Sequence, residues 1–258
     1  MEPDSLRQQA YLLIRDRILS YEYKPGDLLS ESRVATELEM SRTPVRAALE
    51  SLETDGLVRR HANTGFFVEH ISPQTIADVF AVRIALETYS VRQLGPVAAD
   101  VRWEKFEAIF GLFARMKRLP HGADWMLIQE ADRLFHREIV ARTRNEVALE
   151  VTDRVELRFA RFRAMAWDRN ERYRVGAGDH LAIAQAIRSG ENEHASKLVE
   201  QHLLSGREHL TSVMTDPRHV VPVQLPPLSP GEGPVARWLN DASMPASSAA
   251  KLFATGAS

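Results

Sequence analysis

Apolar positions recur along the chain with different spacings, which divide it into three segments. Residues 73–214 place apolar side chains three and four positions apart, without a convincing two-residue alternation. This spacing is typical of amphipathic helices, so we predict an all-α domain there. Residues 1–71 mix the helical spacing with hairpin signals, whereas Pro, Ser, Gly and Ala dominate residues 215–258. The pattern predicts a mainly α protein with a mixed N-terminal domain, a helical domain and an irregular tail.

The helical segment predicts six helices that form one bundle. Its breaks fall at Gly95-Pro96, at residues 120–122 and at Ser189-Gly190, where proline or glycine stops a helix. The predicted helices lie near residues 74–94, 101–118, 123–142, 146–167, 171–188 and 192–213.

The N-terminal segment predicts a helix-turn-helix. A first amphipathic helix covers residues 6–19, and Pro25-Gly26 predicts a type II turn after it. Ser30 and Ser41 stand where the N-caps of a second and a third helix are expected. Two short helices joined this closely form a helix-turn-helix.

A hairpin is predicted directly after the third helix. Residues 57–61 and 66–71 are strand-like and flank the four-residue turn 62–65, which ends in Gly65. A hairpin in this place is a wing, so residues 1–71 predict a winged helix-turn-helix domain. Glycine at the turn allows the backbone to approach a phosphate.

The third helix has the features of a recognition helix. Its apolar positions face inward and leave Arg42, Thr43 and Arg46 on the opposite, N-terminal face. The first residues of a recognition helix meet base edges in the major groove, and a guanidinium matches guanine O6 and N7 or a phosphate. An ordinary solvated surface is the alternative interpretation.

Composition excludes several classes of function. The chain has no cysteine, so disulfides, thiolate zinc sites and cysteine nucleophiles are excluded, and any metal must be held by His, Asp or Glu. No apolar run is long enough to span a membrane and no secretory signal is present, so we expect a cytoplasmic protein without a membrane partner. Residues 1–70 carry nine Lys/Arg against twelve Asp/Glu, which is no general basic footprint for nucleic acid.

Four polar side chains lie on apolar faces of the helical segment. Asp132 and His136 are four residues apart and share one face of a helix, and His180 and His202 interrupt apolar stripes of two others. Polar groups removed from water need partners, and one divalent metal would satisfy all four. The alternative is that each histidine is hydrogen-bonded separately. Zinc, nickel and manganese all suit such ligands.

Arg83 places a permanent cation beside an apolar stripe. Glu87, four residues later, could neutralise it in an ion pair that is worth little if exposed. Arg158 and Arg161 are further candidates for a ligand cavity. Because the helix at 146–167 is rich in arginine, we expect most of its arginines to face water.

The N-terminal segment resembles the GntR family of bacterial regulators. The resemblance covers nearly all of residues 6–70 and is carried by residues 25–31, 41–49, 56–58 and 65–68. It implies that the domain binds operator DNA. The expected DNA-binding residues are Arg33, Ser41, Arg42, Thr43, Arg46 and Gly65.

The chain departs from this family after Glu31. The family commonly has arginine at the next position, where this chain has Ser32, and Arg33 follows one residue later. One helical position rotates a side chain by about 100°, so whether Arg33 replaces the family contact is open.

Residues 76–210 resemble the FadR C-terminal domain, or FCD domain, more loosely. The resemblance is carried by Arg83–Glu87, Asp132–His136, Asp179-His180 and His202-Leu203. It implies a dimerisation domain that senses a small organic acid. The implied metal ligands are Asp132, His136, His180 and His202, and the implied effector contacts are Arg83 and Asn145. A bundle of six helices would place it in the branch resembling the vanillate regulator.

We therefore expect a homodimeric regulator that responds to a ligand and acts as a repressor. We expect it to bind a palindromic double-stranded operator, a divalent metal and a small carboxylate. A metal-dependent enzyme using the Asp/His3 site is the alternative. Against it, paired Glu-x-x-His motifs, the zincin signature, a phosphate loop and a dinucleotide fingerprint are absent from the sequence. A passive DNA-architectural protein would leave the large second domain without a role.

Overall fold

The computed structural model describes residues 3–62, 64–94, 111, 113, 125–166 and 172–215. These residues group into two compact units. The first unit contains residues 3–79 together with residues 154–166 and 209–215. The second unit contains the remaining described residues between 80 and 208. The predicted domain boundary at residues 71–73 stays a prediction.

The first unit begins with three helices and three short strands. In chain order they are α1 (Pro3–Leu19), β1 (Leu28–Leu29), α2 (Glu31–Glu37), α3 (Arg42–Thr54), β2 (Val58–His61) and β3 (Gly65–Val68). Five further described helices follow, namely α4 (Pro73–Arg92), α5 (Trp125–Ala141), α6 (Glu146–Ala166), α7 (Arg172–Arg188) and α8 (Asn192–Thr215). The mainly helical fold with a winged helix-turn-helix agrees with the prediction.

The strands form one antiparallel sheet in the order β1-β3-β2. Val58 pairs with Val68 and His61 with Gly65, which is the predicted hairpin, although β3 ends before Ile71. Strand β1 was not predicted, because two residues are too few to show a period. Its Leu28 pairs with Phe67, so β1 supports the wing from the other edge of β3.

The turns and caps around the helix-turn-helix agree with the prediction except at one residue. Gly26 has a φ of 87°, as the predicted turn requires. The Ser30 side chain caps α2 by accepting from the main-chain N–H of Arg33 at 3.3 Å. Ser41 occupies the predicted N-cap position of α3. Its side chain makes no capping hydrogen bond, so the position was predicted correctly but the hydrogen bond was not.

A continuous apolar core holds the winged helix together. Helices α1, α2 and α3 and all three strands contribute to it. Its fully buried members include Ile14, Ile18, Leu29, Val34, Val45, Leu49, Leu52, Leu57 and Phe66. Because α3 buries one face here, the opposite face is left for contacts outside the unit.

Five of the six predicted C-terminal helices are present with ends within a few residues of the predicted ones. The predicted helix at 101–118 lies outside the described residues except for residues 111 and 113, which are helical. The tail at 215–258 also lies outside them beyond Thr215. Among the described helices, none combines the length and the apolar character that a bilayer crossing demands.

The second half of α6 packs within the first unit. Tyr21 donates its hydroxyl to the main-chain oxygen of Arg161 at 3.2 Å, and Arg158 donates from Nε to the main-chain oxygen of Asp55 at 3.0 Å. Arg161 in turn donates from Nη2 to the main-chain oxygen of Glu69. Most arginines of this helix were expected to face water, and Arg161 is an exception because it is buried.

Candidate functional site

The exposed face of α3 carries the predicted base-reading side chains. Arg42, Thr43 and Arg46 are all exposed, whereas Val45 is buried between them. The Arg42 side chain makes no hydrogen bond or ion pair with the part of the chain that the structure describes. Arg46 contacts Glu50 through Nε at 3.1 Å and lies 3.9 Å from Glu31. Arg46 is thus held by carboxylates that a DNA phosphate or base would have to replace.

Arg33 lies on α2 and faces a tyrosine. Its Nε contacts Glu37 at 3.0 Å, and its guanidinium lies over the ring of Tyr23, 5.8 Å from the centroid. Arg17 also donates to the Tyr23 hydroxyl at 2.9 Å. About half of the Arg33 side chain is exposed. Its role in DNA binding stays a prediction.

The wing depends on the conformation of Gly65. Its φ is 131°, and a Cβ there would lie 3.2 Å from Leu28 Cδ1. A side chain at this position would be strained and crowded, so Gly65 shapes the wing, while its contact with DNA stays a prediction. Arg59 and Arg60 on β2 add exposed positive charge beside it.

The four predicted metal ligands meet in the second unit. Asp132 and His136 come from α5, His180 from α7 and His202 from α8. One potential ligand atom from each lies within 4.8 Å of all the others. Two of these side chains are buried and two are partly buried. The structure thus brings together the residues that sequence analysis proposed.

The distances inside this cluster fit a shared ion. His180 Nε2 lies 3.1 Å from His136 Nε2 and 3.4 Å from Asp132 Oδ1, and His136 Nε2 lies 3.7 Å from the same oxygen. Neighbouring ligands of an ion bound at about 2.1 Å are about 3.0–3.4 Å apart. The Nδ1 atom of His180 is buried and has no hydrogen-bond partner among the described residues. Its Nε2 atom is the nitrogen that lies near the other potential ligands. The donor set therefore fits a divalent metal.

Burial sets the charge of two of these histidines. The loss of water around His180, with the nearby His202, holds the pKa of His180 well below its usual value. Burial also lowers the pKa of His202, although its bond to Asp179 opposes the shift. Both imidazoles are therefore neutral near pH 7, as metal binding requires.

Behind His136 lies a buried ion pair. Arg83 Nε donates to Glu87 Oε1 at 2.9 Å, and Glu87 Oε2 lies 2.6 Å from His136 Nδ1. Burial by itself would raise the pKa of Glu87, but the charges of His136 and Arg83 outweigh it and lower this pKa to about 2. Burial alone would lower the pKa of His136, and Glu87 reverses that shift into a rise. Glu87 is therefore ionised.

The two predicted effector contacts have different surroundings. Arg83 is buried against Glu87, the ion pair that the sequence offered as its alternative. Asn145 is exposed and accepts from the Ala148 main-chain N–H at 3.0 Å, which makes it the N-cap of α6. Effector binding by either residue stays a prediction.

An aromatic wall adjoins the cluster. The Phe113 ring lies 4.3 Å from the His180 ring between centroids, and Phe135 lies 4.7 Å from it. Both phenylalanines are buried. Sequence analysis missed this wall, and it also missed Glu87 and Asp179 as partners of the histidines. The one signal for Glu87 was a pair of opposite charges on an apolar stripe.

Comparison with known protein families identifies both the N-terminal segment and the helical segment. The model of bacterial regulatory proteins of the gntR family matches residues 6–68, and the FCD domain model matches residues 78–205. An uncharacterized HTH-type transcriptional regulator in the TAR-I ttuE-ttuC' intergenic region of Agrobacterium vitis is 35% identical over 138 residues, which cover 51% of this chain and 77% of that protein. The chain belongs to the GntR family. This GntR protein is a DNA-binding transcriptional regulator with an FCD domain, and not an enzyme.

Two further comparisons extend over most of the GntR chain. The gluconate operon transcriptional repressor of Bacillus licheniformis is 25% identical over 194 residues, covering 73% of this chain and 78% of that protein. The crystal structure of a GntR transcriptional regulator from Rhodococcus sp. RHA1 is 22% identical and has a TM-score of 0.66, covering 81% of this chain and 98% of the other. At that identity the structural likeness concerns the fold.

Proposed function

We propose that this GntR regulator is a repressor whose operator binding is controlled by a small carboxylate bound at a metal in the FCD domain. The observation that carries the proposal is the cluster of Asp132, His136, His180 and His202, whose ligand atoms lie within 4.8 Å of one another. Its position among buried side chains of three helices makes an adventitious surface cluster a poor explanation.

The four side chains would hold one divalent ion. Three imidazoles and one carboxylate suit zinc, nickel and manganese. The ion would supply a Lewis acid to which a carboxylate oxygen can bind. Burial keeps His180 and His202 neutral. The aromatic rings of Phe113 and Phe135 place apolar surface beside His180.

Charge balance favours an anionic effector. Glu87 and Arg83 neutralise each other, and the histidines are neutral as ligands, so Asp132 is the one anionic ligand in the described cluster that opposes the two charges of the ion. A buried site with an excess positive charge is unfavourable without a counter-charge. A carboxylate supplies that charge and a ligand atom together, whereas a sugar or an amine does not.

The DNA-binding proposal rests on the exposed face of α3. Arg42, Thr43 and Arg46 would contact base edges in the major groove. Gly65 and Arg33 would lie close to the DNA phosphate backbone, and Ser41 would contact DNA from the start of α3. One module offers few base contacts, so we propose a homodimer on a palindromic operator in the cytoplasm. Repression is proposed because the gluconate operon relative carries that name.

Metal analysis and calorimetry test the proposal together. Acetate, succinate and citrate are titrated into zinc-loaded protein, chelator-treated protein and the His180→Ala variant, after elemental analysis of the purified protein. We expect about one ion per chain and carboxylate binding to the zinc-loaded wild type only. Equal binding in all three samples, or no metal uptake, would remove the metal from the mechanism.

A further inference from the structure

Two of the three clustered histidines have a carboxylate outside the four-ligand set beside Nδ1. Glu87 Oε2 lies 2.6 Å from His136 Nδ1, and Asp179 Oδ2 lies 3.1 Å from His202 Nδ1. The Nδ1 atom of the third histidine, His180, has no such partner among the described residues. The three ligands are therefore supported unequally.

Glu87 uses its two oxygens for two different partners. Oε1 accepts from Arg83 Nε, and Oε2 faces His136 Nδ1. Only 6% of the Arg83 side chain and 2% of the Glu87 side chain are exposed. The carboxylate is thus fixed from both sides and shielded from water, so its orientation is determined by the protein alone.

This arrangement determines which nitrogen of His136 is available. Because Glu87 Oε1 accepts from Arg83 Nε, the group is a carboxylate paired with a cation that accepts at Oε2 as well, so His136 Nδ1 carries the hydrogen. The neutral ring then has its lone pair on Nε2. That atom is the one that faces His180 Nε2 and Asp132 Oδ1.

We infer that Glu87 is the positioning residue of the metal centre, which orients His136 with Nε2 toward the ion, and that Arg83 supports the site by holding Glu87 in place. The inference rests on the proposed metal site. Arg83 Nε contacts one oxygen of the Glu87 carboxylate, while the other oxygen faces His136 Nδ1. Outer partners of metal-bound histidines fix the tautomer and the ring orientation in this way.

Asp179 provides an internal comparison. It bears the same relation to His202, but 40% of its side chain is exposed and no arginine holds it in the described contacts. Water can replace an exposed acceptor at little cost. Loss of the Asp179 charge should therefore affect metal binding less than loss of the Glu87 charge.

Zinc affinity is the first test, measured by competition with a chromogenic chelator on the full chain. In Glu87→Gln the side chain has one acceptor oxygen for two donors, so His136 or Arg83 faces an N–H group. We expect the zinc Kd to rise 10- to 100-fold in Glu87→Gln, to rise less in Asp179→Asn, and to stay within twofold in Glu138→Gln. Glu138 is the matched control, because it is a buried carboxylate on α5 that pairs with Arg142. A folded Glu87→Gln protein with wild-type zinc affinity would overturn the inference.

Nitrogen-15 NMR of histidine-labelled wild-type protein is the second test and needs no variant to fold. With zinc bound, we expect His136 to show a protonated Nδ1 and a metal-bound Nε2. Ligation through Nδ1 would contradict the inference while leaving the metal site intact. If the wild type takes up no zinc at all, the proposed function fails instead, so the two failures are distinguishable.

Discussion

Arg161, near the end of α6, donates from Nη2 to the main-chain oxygen of Glu69 at 2.5 Å, although only 3% of the residue is exposed. Its own main-chain oxygen accepts from the Tyr21 hydroxyl. Burial lowers the pKa of Arg161, with Tyr21 and Glu69 opposing the shift. The buried guanidinium satisfies a main-chain oxygen in the segment that joins β3 to α4.

Replacing Arg161 by Ala should destabilise the first unit. The change leaves the Glu69 carbonyl without its donor and opens a space, so we expect a loss of about 2–3 kcal/mol in the free energy of unfolding. Arg158→Ala is the matched control on the same helix. Arg158 also donates to a main-chain oxygen, that of Asp55, but it is exposed, so we expect about 0.5 kcal/mol or less. Urea unfolding followed by circular dichroism measures both, and equal losses would contradict this account.

The exposed arginines of α3 should be required for operator binding and not for folding. We expect Arg42→Ala and Arg46→Ala each to weaken specific binding by on the order of tenfold or more, with an unchanged melting temperature. Arg92→Ala, in the second unit, removes the same charge from an exposed pair and serves as the control. The measurement is fluorescence anisotropy with a duplex selected from a random pool by the wild-type protein. Wild-type affinity in both α3 variants would exclude this face as the reading surface.

Two glycines on α7 should respond differently to substitution. A Cβ at Gly178 meets nothing within 4 Å, so Gly178→Ala should stabilise the helix by about 0.5–1 kcal/mol without changing zinc affinity. Gly176 lies one turn before His180, and its Cβ would lie 3.9 Å from His202 Cε1. We expect Gly176→Leu to crowd His202 and to lower zinc affinity. Thermal melts and chelator competition separate the two effects, and a Gly176→Leu protein with unchanged zinc affinity would refute the second.

Much of the local structure could be predicted from the sequence. The end of α7 at Arg188 and the start of α8 at Asn192 follow from the break at Ser189-Gly190, and the turn at Gly26 follows from its residue types. Asp132 and His136 were found because helical spacing puts them on one face. These are properties of short segments, which propensity and periodicity describe well.

The rest depends on how distant segments pack. Glu87 and His136 are separated by 49 positions, so no spacing rule brings them together. The arginine content of α6 does not indicate which of its arginines is buried, and the main-chain oxygen of Glu69 that accepts from Arg161 lies 92 positions away. Strand β1 exists only as a partner of β3. Such contacts are decided by tertiary packing.

Removing the metal should lower stability by an amount that depends on metal concentration. An ion that binds the native state alone, present at 100 times its Kd, stabilises by about 2.7 kcal/mol. We expect zinc to raise the melting temperature of the chelator-treated wild type and to have little effect on His180→Ala. Sedimentation of the same samples should show twice the 29.1 kDa of one chain. A zinc-induced shift that is as large in His180→Ala would place the ion elsewhere.

Operator binding under control of the metal site tests the central claim most directly. Anisotropy of the selected duplex is recorded for the wild type and His180→Ala, each with zinc or chelator and with or without the carboxylate identified by calorimetry. We predict that the carboxylate releases the zinc-loaded wild type from DNA and leaves the chelated wild type and His180→Ala unaffected. A carboxylate response of equal size in all four samples would contradict the account.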